Sequence, residues 1–170
     1  MKREYPESPL VGVGAVIVAR NHDIAQHEPQ GYPRVLLIRR GTAPLLGEWS
    51  LPGGVLECGE TLREAVEREA FEETGLVVEP TEMLGVYERI IRGDGVRGDN
   101  TGGDDIRGND DRVHYHYVLI DFLCRPVSGD LKAGSDAADV RWFTREELPA
   151  LNLAYDANDV VRKGLDRAES

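Results

Sequence analysis

The chain is short of the groups that staple a small protein, anchor it in a membrane or draw it to a polyanion. Two cysteines, Cys58 and Cys124, are too few and too far apart for a disulfide framework or a zinc site, so both are expected as reduced thiols. The longest apolar run, Leu10 to Ala19, is ten residues with two glycines inside it, far short of a membrane span. Lys2 and Arg3 are followed at once by Glu4, Pro6, Glu7 and Pro9, an unsuitable start for a secretory leader, so a cytoplasmic protein with no membrane partner is expected. Cationic side chains are the minority, 20 Lys and Arg against 31 Asp and Glu, for a formal net charge of -11. A surface this acidic gives no counterion-release drive, which excludes polymeric nucleic acid as the expected ligand. A small phosphate compound can bind only where cations or a local group of arginines offset the repulsion.

What the chain does have is an ordinary globular composition, 41% hydrophobic and 30% charged, and a length of 170 residues that suits one domain over 1–170. Val11 to Arg20 and Arg34 to Arg40 read as strands in a hairpin-like pair. Gly12 and Gly14 lie inside the first of these and lack the third glycine of a dinucleotide-binding turn. Gly41 to Gly54 reads as loop. Thr61 to Gly75 reads as a helix, with Thr61 and Glu64 as a capping box and Gly75 as the stop. Leu76 to Glu79, Met83 to Arg92, Val113 to Cys124 and Val140 to Phe143 read as strands, and Asp156 to Ala168 as a last helix. Thr144 with Glu147 caps a short helix before it. Six glycines and six aspartates among residues 93–111 make that segment an acidic, flexible excursion. Its spacing is not that of an EF-hand. Mixed strands with helices on either side predict an α/β (α+β) sandwich.

The helix is electrostatically odd. At 100 degrees per residue, Glu69, Glu72 and Glu73 share a sector with Leu62, Ala65 and Val66, so a face that starts as core ends as three carboxylates. Like charges at these spacings, crowded at the negative end of the helix dipole, are unfavourable by on the order of 2 kcal/mol. Arg68 can reach Glu64 or Glu72 but cannot neutralise three acids. Hard divalent cations can, and they keep sites for phosphate oxygens, so the cluster points to phosphate chemistry.

From Gly54 to Leu76 the sequence resembles the Nudix box without a gap: Gly54, Glu60, Arg68, Glu69, Ala70, Glu72, Glu73, Gly75 and Leu76 occupy its defined positions. Ala70 is smaller than the usual aliphatic residue there. Gly47 to Gly54 and Arg141 to Leu148 resemble the flanks of the same domain. The resemblance implies a βαβ sandwich that hydrolyses nucleoside diphosphates linked to another group. It implies Mg2+ (or Mn2+) held by Glu69, Glu72, Glu73 and the Gly53 carbonyl, Glu60 as a weaker or outer ligand, Arg68 as the orienting cation, and Gly54 beside the substrate.

A carboxylate outside the box usually completes such a site. Asp136 and Asp139 are available before Trp142, and Asp136 is preferred because it lies farther from the strand. One of Arg39 and Arg40 is expected to clamp a substrate phosphate, since strand neighbours point to opposite faces. His114 and His116 share a face without a third ligand, which favours packing or hydrogen bonding over a metal. Tyr115 and Tyr117, on the other face, are candidates to stack on a base, Tyr115 foremost.

Pro9 to Val16 and His114 to Phe122 resemble bacterial members described as ADP-ribose pyrophosphatases, so AMP and ribose 5-phosphate are the first expected products. The proline that such enzymes commonly carry downstream of the box has no counterpart: its position falls near Arg92. Nucleoside triphosphate pyrophosphohydrolysis is the alternative within the class. A non-catalytic nucleotide-sensing regulator is the alternative outside it, and the intact carboxylates favour catalysis. The expected partners are a small nucleotide and, at most, a second copy of the chain.

Overall fold

The structure, a computed structural model, describes residues 3–20, 33–41, 46–92, 112–134, 137–154 and 157–169. The expected excursion at 93–111 and the candidate Asp136 lie outside the described residues.

Among the described residues seven strands form one sheet: β1 (Leu10–Ala19), β2 (Arg34–Arg40), β3 (Trp49–Ser50), β4 (Gly53–Val55), β5 (Leu76–Arg92), β6 (Val113–Gly129) and β7 (Ala137–Phe143). The order is β3-β2-β1-β6-β5, with β4 on β1 and β7 on β2. The central strand, β1, divides its free edge between two partners. Gly12, Val13 and Gly14 pair with β4, while Val18 and Ala19 pair with β2. Its other edge runs parallel to β6 from Leu10 to Ile17. A strand covered on both edges and both faces reads as a nearly continuous apolar run, which is what Leu10 to Ala19 is.

Two helices cover the two faces. Val13, Ala15 and Ile17 pack with Ala65, Val66 and Ala70 of α1 (Leu62–Thr74). Val16 and Val18 pack with Val160, Val161 and Leu165 of α2 (Asn158–Glu169). Alternation along β1 thus sorts the core into two layers, and the sandwich expected from the sequence is the observed architecture.

Helix α1 starts and stops where its end residues demand. The Thr61 side chain accepts from Glu64 N, and Glu64 returns the bond from Thr61 N at 2.7 Å. Gly75 closes the helix in the left-handed region at φ 75°, with the Asp130 carbonyl packed where a Cβ would sit. Beyond it, Lys132 N donates to Thr74 O and Gly134 N to Glu73 O, both at 2.9 Å. These bonds satisfy terminal carbonyls that no helix turn can reach.

Three sequence expectations are corrected. Leu76 to Glu79 and Met83 to Arg92 are one strand of 17 residues, and Pro80 is absorbed by register shifts on either side of it. Proline is tolerated there because the pairing is already irregular and β5 ends the sheet order. The stretch from Gly41 to Gly54 carries two short strands, β3 and β4, too brief to show a period. The helix expected after Thr144 is one 3-10 turn, Leu148–Ala150.

Thr61→Ala should cost about 1 kcal/mol by removing the side-chain cap. Gly75→Ala should cost more, since it adds strain at positive φ and a contact with the Asp130 carbonyl. Urea unfolding of the two variants should rank them in that order.

Candidate active site

The carboxylate end of α1 is built by one guanidinium. Arg68 donates from Nε and Nη2 to the two oxygens of Glu60, at 3.1 and 2.7 Å, and from Nη1 to Glu69 Oε1 at 2.7 Å. It also touches Glu72 Oε2 at 3.5 Å and the Val55 carbonyl at 3.2 Å. Glu64, a partner expected from spacing, is engaged in the capping box instead. The Arg68 hydrogen bonds hold the Glu60 carboxyl below its usual range. Glu69 is pushed the other way, because burial of its carboxylate outweighs the pull of Arg68.

The glycine turn before α1 is shaped to these acids. Glu73 Oε2 accepts from Gly53 N at 2.8 Å. At Gly54, the Glu69 carboxylate occupies the space a Cβ would need. Glu72 lies off to the side, its side chain 57% exposed. The three carboxylates therefore share a helix end without sharing one direction.

A cavity of about 230 Å³ opens beside them, between the sheet and the start of α2. Glu69, Glu73, Gly53 and Gly54 line one end. Three arginines, Arg3, Arg40 and Arg89, also line it, which supplies the local positive charge that an acidic protein needs to admit an anion. Arg40 Nε and Ser50 Oγ are buried without a hydrogen-bond partner among the described residues. Buried polar atoms are rarely left so, and both border the cavity, where oxygens of a ligand could complete them.

Of the strand pair Arg39 and Arg40, only Arg40 faces the cavity, and Arg39 is exposed. Tyr117 lines the cavity and Tyr115 does not; the Tyr115 hydroxyl donates to Glu4 Oε1 at 3.0 Å. His116 Nε2 lies 3.3 Å from Glu88 Oε1, and the His114 ring is stacked between Tyr5 and Tyr115. Asp139 is occupied on β7, where it accepts from Val140 N at 2.9 Å and from Arg141 at 3.0 Å. Both cysteines are free thiols.

Sequence reasoning missed cavity residues that include Arg3, Ser50, Tyr87, Arg89 and Asp121. Asp121 is only 6% exposed. It stands level with Gly14 of β1, and its carboxylate fills the place of a Gly14 Cβ. Gly12 is likewise covered by Leu119. The two glycines of β1 thus make room for side chains of β6. Burial pushes the Asp121 carboxyl up from 3.8 to about 6, with Arg89 opposing.

The oxygen donors of Glu69, Glu72, Glu73 and Gly53 suit a hard divalent cation in kind and in placement. Among the described residues no three acids, histidines or cysteines converge closely enough to hold an ion as they stand. Glu69 is turned to Arg68 and Glu73 to the Gly53 amide, so loading a cation would require these side chains to re-aim.

Comparison with known proteins bears on the whole arrangement. The NUDIX domain model matches residues 9–164. An ADP-ribose pyrophosphatase of Methanocaldococcus jannaschii is 38% identical over 132 residues, covering 76% of this chain and 64% of that protein. An 8-oxo-dGDP phosphatase of Mus musculus is 34% identical over 134 residues, covering 76% of this chain and 34% of that protein. The chain therefore spans less than two thirds of the length of these relatives. A MutT NUDIX hydrolase structure from Burkholderia pseudomallei superposes with a TM-score of 0.64 at 29% identity, covering 94% of this chain and 98% of that one.

The raised Asp121 value carries a sign. The folded protein holds this proton up to about pH 6, whereas the unfolded chain releases it near 3.8. This residue therefore lowers stability as pH rises across that window, and the loss is complete above it. Asp121→Asn should stabilise the protein at pH 8 by on the order of 2 kcal/mol, roughly 5 °C in Tm, and by much less at pH 4. Thermal unfolding of both proteins at the two pH values checks it.

Proposed function

The chain belongs to the Nudix family, and from that premise we propose that it hydrolyses the diphosphate bond of a nucleoside diphosphate joined to a second group. ADP-ribose is the first substrate, giving AMP and ribose 5-phosphate. The observation that carries this reading is the meeting, in one cavity, of the α1 carboxylates with three arginines and the unsatisfied Arg40 Nε and Ser50 Oγ. Acids alone would repel a diphosphate, and arginines alone would bind it without activating water.

Family members generally need a divalent cation. In this chain Glu69, Glu72, Glu73 and the Gly53 carbonyl would hold it, as Mg2+ or Mn2+. When bound, the cation polarises phosphoryl oxygens and makes water a competent nucleophile at neutral pH. Arg68 keeps Glu60 ionised and holds the Glu69 carboxylate beside Gly54. Arg40 and Ser50 donate to phosphate oxygens, and the charge-assisted bond from Arg40 fixes the diphosphate against the glycine turn.

We retain Asp136 as the acid that completes the site. Its described neighbours support the choice: Gly134 N donates to the Glu73 carbonyl at 2.9 Å, and Ala137 N donates back to Gly134 O at 3.2 Å. Gly134 is thereby held beside the carboxylate end of α1. ADP-ribose is favoured by the pyrophosphatase from Methanocaldococcus jannaschii, 38% identical over the shared region. Nucleotide sanitation, with a nucleoside di- or triphosphate as substrate, is the second reading, favoured by the mouse phosphatase.

Glu73→Gln should lower kcat at least about a hundredfold at saturating cation, because it removes a charge from the point where the transition state needs it. The fold should persist, since the amide oxygen can still accept from Gly53 N. Unchanged turnover would remove Glu73 from the site. The kcat/KM for ADP-ribose should exceed that for any single triphosphate by at least about tenfold, or about 1.4 kcal/mol in transition-state binding. Parallel assays with product identification decide it, and a preferred triphosphate releasing pyrophosphate would move the protein to the second reading.

A further inference from the structure

The diphosphate chemistry leaves one cavity residue unused. Asp121 is nine-tenths buried, lines the cavity and makes no hydrogen bond or ion pair among the described residues. It is flanked by glycines on both sides, Gly14 of β1 and Gly85 of β5 in register with it. The Tyr87 hydroxyl lies over Gly85, and its phenol is desolvated. Leu119, Ala157 and Val160 line the same cavity, as does Arg89, whose charge acts on the carboxylate. The carboxylate shares the cavity with these apolar and aromatic walls, and the charge of Arg89 offsets only part of the loss of water around it.

Such a group is retained at a cost unless a ligand supplies the missing donor. A carboxylate accepts and does not donate, so the ligand group must be an N–H or O–H. The walls decide between them. Aromatic and aliphatic side chains suit the flat face of a nucleobase, whereas a ribose diol asks for polar neighbours around both hydroxyls. Asp121, Gly14 and Gly53 are consecutive across β6, β1 and β4, and the carboxylate lies over Gly14, so a base would meet it on the strand next to the glycine turn.

We propose that Asp121 reads the nucleobase by accepting a hydrogen bond from its exocyclic amino group, and so selects amino-bearing bases over their oxo or unsubstituted counterparts. This rests on the diphosphate-hydrolysis reading for the orientation of the nucleotide and adds the part of the ligand that the reading leaves open. In a hypoxanthine nucleotide a carbonyl oxygen replaces the adenine amino group, and two sets of lone pairs then face each other across the site. An asparagine at this position can turn either its oxygen or its amide N–H toward the base, so it accepts both.

The test uses matched pairs that differ only in the amino group: ADP-ribose against its hypoxanthine counterpart, and dGTP against dITP, which lacks the 2-amino group. Wild-type kcat/KM should favour the amino member of the better-used pair by about tenfold to a hundredfold, carried by KM. In Asp121→Asn the ratio should fall to within about threefold while kcat on the amino member changes little. A wild-type ratio near one, or a variant that loses kcat equally on both members, would overturn the proposal. So would an equal weakening of both members in KM, the mark of a ribose contact. Tm shifts produced by AMP, GMP and IMP read the same preference without turnover. If no pair is hydrolysed but AMP or GMP still protects wild type better than IMP, and Asp121→Asn loses that difference, the hydrolase reading fails and the base reading stands.

Discussion

The Arg68 guanidinium is the interaction on which the site depends. Placing acids at 69, 72 and 73 of one helix is unfavourable in itself, since they repel one another and oppose the helix dipole. Arg68 sits within hydrogen-bond range of two of them and also takes both oxygens of Glu60 and the Val55 carbonyl. One side chain therefore ties the helix, the loop before it and β4 into a single unit. The tie lets Gly54 approach the Glu69 carboxylate so closely that no Cβ would fit, and it leaves Glu73 to accept from the Gly53 amide. The glycine turn and the carboxylate face are complementary halves of one surface, and the arginine sets their distance.

Charge is sorted by location. The chain carries a net charge of -11, yet its cavity presents Arg3, Arg40 and Arg89 beside the α1 acids. The outer surface discourages polyanions in general, and only a small anion that reaches the arginines finds compensation. This reconciles an acidic protein with a phosphate-containing ligand.

What was legible in the sequence was what is local. Helix α1 could be read from Thr61, Glu64 and Gly75, because caps and stops act within a few residues, and the box around it from its resemblance to the Nudix pattern. The mix of strands with helices on either side likewise pointed to a sandwich. The cavity was not legible, because it is assembled by strand pairing between distant segments. Nothing near Gly14 in sequence says that Asp121 will stand beside it. Spacing allowed either Arg39 or Arg40 to face a ligand, and the register shift between them on β7 accompanies the choice of Arg40. Pro80 argued locally for a break between two strands, and the irregular pairing with β6 absorbed it. In each case a tertiary constraint overrode a sound local preference.

The change of partner along β1 has an evolutionary side. The residues that hold the carboxylate centre come from α1, β4 and the turn between Leu51 and Gly54, whereas Tyr87, Tyr117, Leu119 and Asp121, which border the rest of the cavity, come from β5 and β6. Gly12 to Gly14 lie between β4 on one side and β6 on the other. Substitutions on β5 and β6 can therefore alter which ligand is recognised without touching the reactive centre. A lineage built on this plan is free to inherit its chemistry intact while its diet drifts.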